Sequence, residues 1–268
     1  MPELISVRNV TVKMGGYSAL SDVSVDFPKG TSTVIMGPSG CGKSTLLKTA
    51  AGLIPPDGGT VLFEGENVFR FSERRMGEMR RINGFVFQDD ALWENKTIAE
   101  NLSLPLQVHF PRMPRAEIEG RIVRLLEKGG LSECAPQRPA QLSGGERKIA
   151  SFLRAVVVEP SLVFLDDPTL SIDNSTSETI SQMIQEIKSK GCTIIAVTHD
   201  ASLTTLIADR LVVLERGRVL AAGEFDSVKR SADQHVRAIL AQVLGEIASF
   251  DTDLLELLGN GGEHEVQN

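Results

Sequence analysis

The chain has 268 residues, enough for one large α/β domain with insertions or for a core plus a subdomain. Its 28 Lys and Arg against 35 Asp and Glu give a net charge of −7, so the broad positive footprint of a nucleic-acid binder is absent and no nucleic acid is expected as a partner. No stretch reaches the ~18 apolar residues of a membrane span, residues 1–12 lack the basic and apolar regions of a signal peptide, and the cysteines at 41, 134 and 192 have no disulfide or zinc spacing, which together predict a cytoplasmic protein.

In chain order, β-rich runs at 5–12, 23–27, 33–36 and 61–63, the last after a turn-forming stretch at 55–59, predict an antiparallel layer beside a nucleotide core. The apolar strand 32–36 runs into Gly37, Pro38, Ser39, Gly40, Cys41, Gly42, Lys43 and Ser44. These match the phosphate-binding loop G-x-x-x-x-G-K-[ST] in its required place between a strand and a helix. Glycines let the backbone curl its N–H groups inward, and the helix that begins near Lys43 aims its positive end at the same spot. Lys43 is expected to reach the β and γ phosphates and Ser44 to give its hydroxyl to Mg²⁺, with Thr45 in the same nucleotide-binding group. A glycine-rich turn that binds nothing is the plain alternative. Cys41 reads first as a small space-filling residue; the alternative is a redox-sensitive thiol whose pKa is lowered beside a helix N-terminus.

Between about 89 and 160 the pattern turns helical, with Pro114 near a start, apolar positions 118, 122, 125 and 126 on one face, and Gly129-Gly130 as a stop. Ser143, Gly144 and Gly145 open a further helix, where a hydroxyl, bare N–H groups and a positive dipole end make a second phosphate clamp. The apolar strand 162–165 ends in Asp166 and Asp167. In phosphate-loop NTPases a carboxylate there holds Mg²⁺ opposite the loop hydroxyl, which assigns Asp166 to the metal. Asp167, one position on, lies near the γ-phosphate, where a carboxylate can orient or deprotonate water. An ordinary Asp-Asp-Pro-Thr turn is the alternative. A helix from about 175 to 190, stopped by Gly191, separates this strand from the strand 193–197 as in a parallel βαβ unit. Apolar residues at 236, 239, 240, 243, 244 and 247 predict an amphipathic helix whose stripe packs on its own core or on a partner. The leucine-rich 250–258 predicts a partner groove, and the polar 259–268 is expected to stay disordered.

Leu142, Ser143, Gly144, Gly145 and Glu146 resemble the LSGGQ signature of ABC ATPases, and the family's other parts occur in the family's order. Gln88, after the strand 85–87, falls at the Q-loop position; Leu170, Ser171 and Ile172 lead into Asp173 as the D-loop does; His199 matches the switch histidine. The resemblance covers about residues 3–222. It implies an α/β fold: an ABC-type phosphate-loop NTPase core with an antiparallel β layer, a helical subdomain and a C-terminal helical extension. The core would take 1–88 and 158–222, the helical signature subdomain 89–157, and the extension with its polar tail 223–268. It also implies an ATPase that uses ATP and Mg²⁺. The resemblance further implies a head-to-tail pair, in which the signature of one subunit, Ser143 to Glu146 with Asp173, closes over the ATP held by the loop of the other. Asp167, His199 and Gln88 would then be catalytic, and Ser44, Gln88 and Asp166 would hold the metal.

The sequence departs from the family at several positions. Asp167 stands where the family usually has Glu, pulling the carboxylate back by about 1 Å, and a misplacement of that size costs on the order of a hundredfold in rate. Either Asp167 still serves as base through a small shift or a second water, or this is a weakened site in a nucleotide-gated clamp. Arg138 and Glu146 replace an aromatic and Gln. In the adenine-stacking register the chain has Met14, with Tyr17, its only tyrosine, three residues on.

The segment 88–106, QDDALWENKTIAENLSLPL, resembles the stretch that grips a coupling helix of a membrane permease, with Trp93 as an interface anchor or a core residue. Among ABC subfamilies it is most similar to the lipid-trafficking Mce and Mla type, and also similar to the lipoprotein-release and cell-division types. The stretch 231–240, SADQHVRAIL, resembles the end of Mla-type ATPases, where a tail reaches the neighbouring ATPase subunit. The implied partners are a second ATPase subunit, most simply a twin, integral membrane permease subunits, and a periplasmic lipid-binding component. The implied place is the cytoplasmic face of the inner membrane. A weakly hydrolysing regulatory ATP-binding subunit is the rival reading, because of Asp167.

Overall fold

The computed structural model describes residues 3–244. Among these residues the strands are β1 (Glu3–Met14), β2 (Tyr17–Pro28), β3 (Ser32–Met36), β4 (Gly58–Phe63), β5 (Glu66–Asn67), β6 (Asn83–Val86), β7 (Leu162–Asp166), β8 (Thr193–Val197), β9 (Arg210–Glu215) and β10 (Arg218–Glu224). The helices are α1 (Lys43–Ala50), α2 (Glu73–Ile82), α3 (Ile98–His109), α4 (Arg115–Lys128), α5 (Gly144–Val156), α6 (Asn174–Ser189), α7 (Ala201–Ile207), α8 (Phe225–Lys229) and α9 (Gln234–Leu244).

An antiparallel sheet runs β2-β1-β4-β5, and a six-stranded sheet runs β10-β9-β3-β8-β7-β6. In the second sheet β9, β3, β8, β7 and β6 are parallel and β10 closes one edge antiparallel. The expected βαβ unit is therefore present as β7-α6-β8. The run 33–36, expected in the antiparallel layer, lies instead in the middle of the parallel sheet between β8 and β9. All five residues of β3 are buried, as in a sheet covered on both faces, although only Val34, Ile35 and Met36 are apolar.

Alternation along β3 assigns its two faces. Ile35 joins Phe164, Ile195, Val212 and Leu214 against α1 and the antiparallel sheet, where Phe27, Leu46, Leu47 and Phe63 fill the space. Val34 and Met36 join Leu165, Ile194 and Val213 against Ile98, Phe152, Ile180 and Ile184 of the helices on the other face. Each such side chain contributes about 1.5–3 kcal/mol by leaving water. The two sheets meet at the turn between β9 and β10, where Ser21 N–H donates to Gly217 O at 2.8 Å and Gly217 N–H donates to Cys41 O at 2.9 Å. That turn braces the phosphate loop from below.

The expected helix after Pro114 is α4, with Pro114 itself as N-cap, Ile122 and Leu126 buried, and Gly129 as C-cap. Val236, Ile239 and Leu240 of α9 are buried in the same apolar cluster as Val228 and Leu211, so this part of the stripe is satisfied by its own core. The Leu244 side chain and residues 245–268, with the expected leucine-rich and polar tail, lie outside the described residues.

Candidate functional site

Gly42 caps α1 in the left-handed region, at φ 106°, and a Cβ there would lie 2.5 Å from the Ala19 carbonyl oxygen. No side chain caps α1, which leaves its first N–H groups for a ligand. The Lys43 ammonium is buried and donates to the carbonyls of Gly37 at 2.8 Å and Pro38 at 3.0 Å. Ser44 Oγ donates to Asp166 Oδ1 at 2.7 Å, so the sheet brings together two residues 122 apart in sequence. Asp166 is fully buried at the end of β7; its Oδ2 accepts no hydrogen bond and is offset by the Lys48 ammonium 3.1 Å away. A hydroxyl and an under-satisfied carboxylate side by side are hard oxygen donors that fit Mg²⁺. Lys48 was not singled out in the sequence, although its place one helical turn after Ser44 puts it on the same face.

Cys41 is buried, and burial pushes its thiol above the ordinary value, with the Lys43 charge pulling the other way. This goes against the alternative of a lowered, redox-sensitive thiol and with the reading of a residue that fills space. Met14 and Tyr17 end β1 and β2 across the Gly15-Gly16 turn, and Met14 Sδ lies 4.0 Å from Thr45 Oγ1. Tyr17 is 63% exposed at the mouth of this corner.

Asp167 is nearly buried, holds φ at 49°, and its N–H donates to Val197 O of β8 at 2.9 Å. Burial pushes its carboxyl above the usual range; His199 opposes this most, Asp166 adds to it and Lys43 opposes it. His199 is exposed just beyond β8. Its neighbour Asp200, not foreseen, caps α7 and accepts hydrogen bonds from Thr169 Oγ1 at 3.0 Å and Ser177 Oγ at 3.3 Å, tying the turn after Asp167 to α6. Its readable signal is a polar residue just ahead of an apolar helix.

Ser143 caps α5 in a capping box: Glu146 N–H donates to Ser143 Oγ at 3.2 Å, and the Glu146 carboxylate accepts from Ser143 N–H at 2.8 Å and Ser143 Oγ at 2.7 Å. These bonds, the backbone one foremost, hold the Glu146 carboxyl below its ordinary value. Asp173 caps α6 and accepts from Ser175 Oγ at 2.5 Å, Thr176 N–H at 3.0 Å and Thr176 Oγ1 at 2.7 Å, which pulls its carboxyl well below the usual range. Gly145 packs against this cap: a Cβ on it would stand 2.8 Å from Thr176 Oγ1. Two groups thus form. Among the described residues no hydrogen bond or ion pair joins Ser143, Glu146 or Asp173 to Lys43, Ser44 or Asp166.

Gln88 is exposed just past β6, and its carbonyl accepts from the Lys148 ammonium at 2.6 Å. Trp93 is 49% exposed, with the Arg154 guanidinium 5.1 Å from its ring centroid, so it is not a core residue.

A family model described as ABC transporter matches residues 20–170. The chain is 33% identical over 238 residues to the intermembrane phospholipid transport system ATP-binding protein MlaF of Escherichia coli K12, covering 88% of each chain. It is 35% identical over 242 residues to the methionine import ATP-binding protein MetN of Brucella abortus, covering 90% of this chain but only 65% of the length of that relative. The fold is similar to the ATP-binding cassette MJ0796, solved as a dimer in a post-hydrolysis state with ADP and Pi, at TM-score 0.76 and 31% identity over 82% of this chain and 98% of that one. It is also similar to a solved ATP-binding subunit of an ABC transporter, at TM-score 0.77 and 27% identity over 91% of this chain and 99% of that one. The phosphate loop, the paired strand-end carboxylates and these matches converge: the chain belongs to the ABC transporter family, as an ATP-binding subunit.

Proposed function

We propose that this subunit powers phospholipid transport between bacterial membranes, working at the cytoplasmic face of the inner membrane with permease subunits and a periplasmic lipid-binding component. One observation carries the reading: the match to the phospholipid-transport ATPase runs through 88% of both chains. The permease-gripping resemblance of 88–106 supports it, with Trp93 exposed where an anchor must be. Methionine import stands as a second reading on 35% identity.

In this reading residues 1–88 and 158–222 act as the core, 89–157 as the helical arm and 223–268 as the extension. The loop from Gly37 to Thr45 cradles the phosphates, with Lys43 on the β and γ phosphates and Tyr17 beside adenine. Ser44 and Asp166, with Gln88, would hold Mg²⁺, which when bound would neutralise charge on the phosphates. Asp167 activates the water, and His199 contacts the γ-phosphate. The two separate groups of the site are reconciled by a second copy: Ser143, the N–H groups of Gly144 and Gly145, Glu146 and Asp173 of one chain close over ATP on the other. The dimeric post-hydrolysis state of MJ0796 supports such pairing. ATP drives transport by favouring the closed pair, a population shift that the helical arms pass to the permease.

The test is to isolate the native complex through a tag on this chain, identify its membrane subunit and bound small molecules by mass spectrometry, and reconstitute it in liposomes. Co-purified phospholipid and Mg·ATP-dependent transfer of labelled phospholipid are expected. A complex that instead accumulates methionine would replace the reading.

A further inference from the structure

A cavity of about 500 Å³ opens at the edge of the parallel sheet opposite the phosphate loop. The loop and the two strand-end carboxylates follow the carboxyl ends of β3 and β7, whereas the cavity lies where β7 and β8 begin, among the last turns of α4, α5 and α6. Its walls are apolar: Leu125 of α4, Phe152, Leu153 and Val156 of α5, and Met183 and Ile187 of α6. Cys192, also on the wall, donates its S–H to Pro160 O at 3.3 Å, and burial pushes its pKa up to about 12, so it stays neutral. A gap of this volume between packed helices forfeits dispersion contacts that an occupant restores, and its size is that of a small-molecule site.

Charge gathers on one side of this chamber. Glu186 of α6 is shared by two ammonium groups, Lys128 of α4 and, at 2.7 Å, Lys190 at the end of α6. The other acid that lines the cavity, Glu159, is drawn to Arg121, 3.9 Å away. Two cations therefore face one carboxylate. Burial, with the Lys190 charge adding to it, pulls the Lys128 ammonium below its ordinary value, and a second anion beside it would act the other way. We propose that the cavity binds a medium-chain fatty acid, its alkyl chain between α5 and α6 and its carboxylate at Lys128 and Lys190. An unbranched chain suits a slot walled by Phe152, Met183 and Ile187, and a carboxylate accepts from both ammonium groups. The bound chain would bridge α4 and α5 to α6 on the side of the sheet away from the nucleotide, and the inference does not depend on which molecule the complex transports.

Calorimetric titration of the full chain with sodium decanoate tests this. One saturable site is expected, with Kd on the order of 10–100 µM. Decanol and decylammonium carry the same chain on a neutral and a cationic head, and both are expected to bind ~3-fold or more weakly than decanoate. Lys128→Gln combined with Lys190→Gln is expected to weaken decanoate ~10-fold and to erase its advantage over decanol, while ATP turnover without added amphiphile stays at the wild-type level. Ile187→Trp, which fills the chamber, is expected to lower decanoate affinity ~10-fold or more. The inference is overturned if no saturable binding appears up to ~1 mM, if decanol or decylammonium binds as tightly as decanoate, or if Ile187→Trp leaves the affinity unchanged. Should Ile187→Trp fail to fold, the paired lysine variant decides alone: undiminished decanoate binding by it overturns the proposal.

Discussion

Asp167 shows how a single residue answers to two demands. Its left-handed backbone, φ 49°, is a region where Asp and Asn are enriched and longer side chains are not. That gives a physical reason for Asp where a Glu would reach further. Asp167→Glu is therefore expected to leave steady-state ATP turnover no higher than wild type, and a rise of about tenfold or more would mark Asp167 as an impaired base. Asp167→Asn keeps the shape and removes the base, so kcat is expected to fall by about 10²-fold or more with ATP binding retained. Burial raises the Asp167 pKa above its ordinary 3.8, so the folded state holds the proton more tightly. The sign follows: ionising this carboxyl costs stability, the cost is absent below the unfolded value, and it is complete once the pH has risen through the folded value. The nucleotide-free Asn variant is thus expected to melt above wild type at pH 7, with the gap in Tm closing as the pH is lowered.

At the scale of elements, the strap between β6 and α3 depends on Asn101, which is fully buried and bonds Trp93 through both N–H and carbonyl. Asn101→Ala leaves the Trp93 N–H without a partner inside the protein, while Trp93 O keeps the Lys96 N–H, so urea unfolding is expected to show a loss of about 1–3 kcal/mol. The α9 helix is anchored by buried Val236, Ile239 and Leu240 and by His235 Nε2 2.9 Å from Glu215 Oε2. The hydrogen bond and charge of Glu215 raise the His235 pKa above 6.5. The anchor's contribution is then fully present below the unfolded value and lost as the pH rises through the raised one. Amide exchange in α9 is expected to quicken across that window more than base catalysis of exchange explains, and to lose the excess in Glu215→Gln. Some elements were legible and some were not, for identifiable reasons. The helix after Pro114 carries its start, stripe and stop in local residues, whereas α2, in the stretch ERRMGEMRRI, buries only Met79 and has little apolar period to read. Strand β3 was readable as a strand; its place among parallel neighbours depends on β8 and β9, far along the chain.

For the whole molecule, the separation of Ser143 and Asp173 from Lys43 and Ser44 makes pairing the central expectation. The Asp167→Asn chain is expected to sediment as a dimer with Mg·ATP and as a monomer without it. Adding Ser143→Arg, which puts a bulky cation at the signature cap, is expected to keep it monomeric while nucleotide affinity changes little. A dimer that forms regardless of ATP or of Ser143 would remove the head-to-tail arrangement.

What the sequence determined by itself was the list and order of chemical parts. The phosphate loop, the strand ending in Asp166 and Asp167, and the helix cap at Ser143 are local patterns, written in residues a few positions apart. Only the tertiary structure decided how those parts are held. The Ser44–Asp166 contact spans 122 residues, Lys48 and Asp200 gain meaning from neighbours on other elements, and Lys148, Ser151 and Arg154 read as ordinary helix residues until the strap lies against them. The cause is common to all of these: burial and long-range hydrogen bonds exist only once the parallel sheet has brought distant strand ends together. Burial is also what raises the Cys41 thiol and the Asp167 carboxyl above their ordinary values.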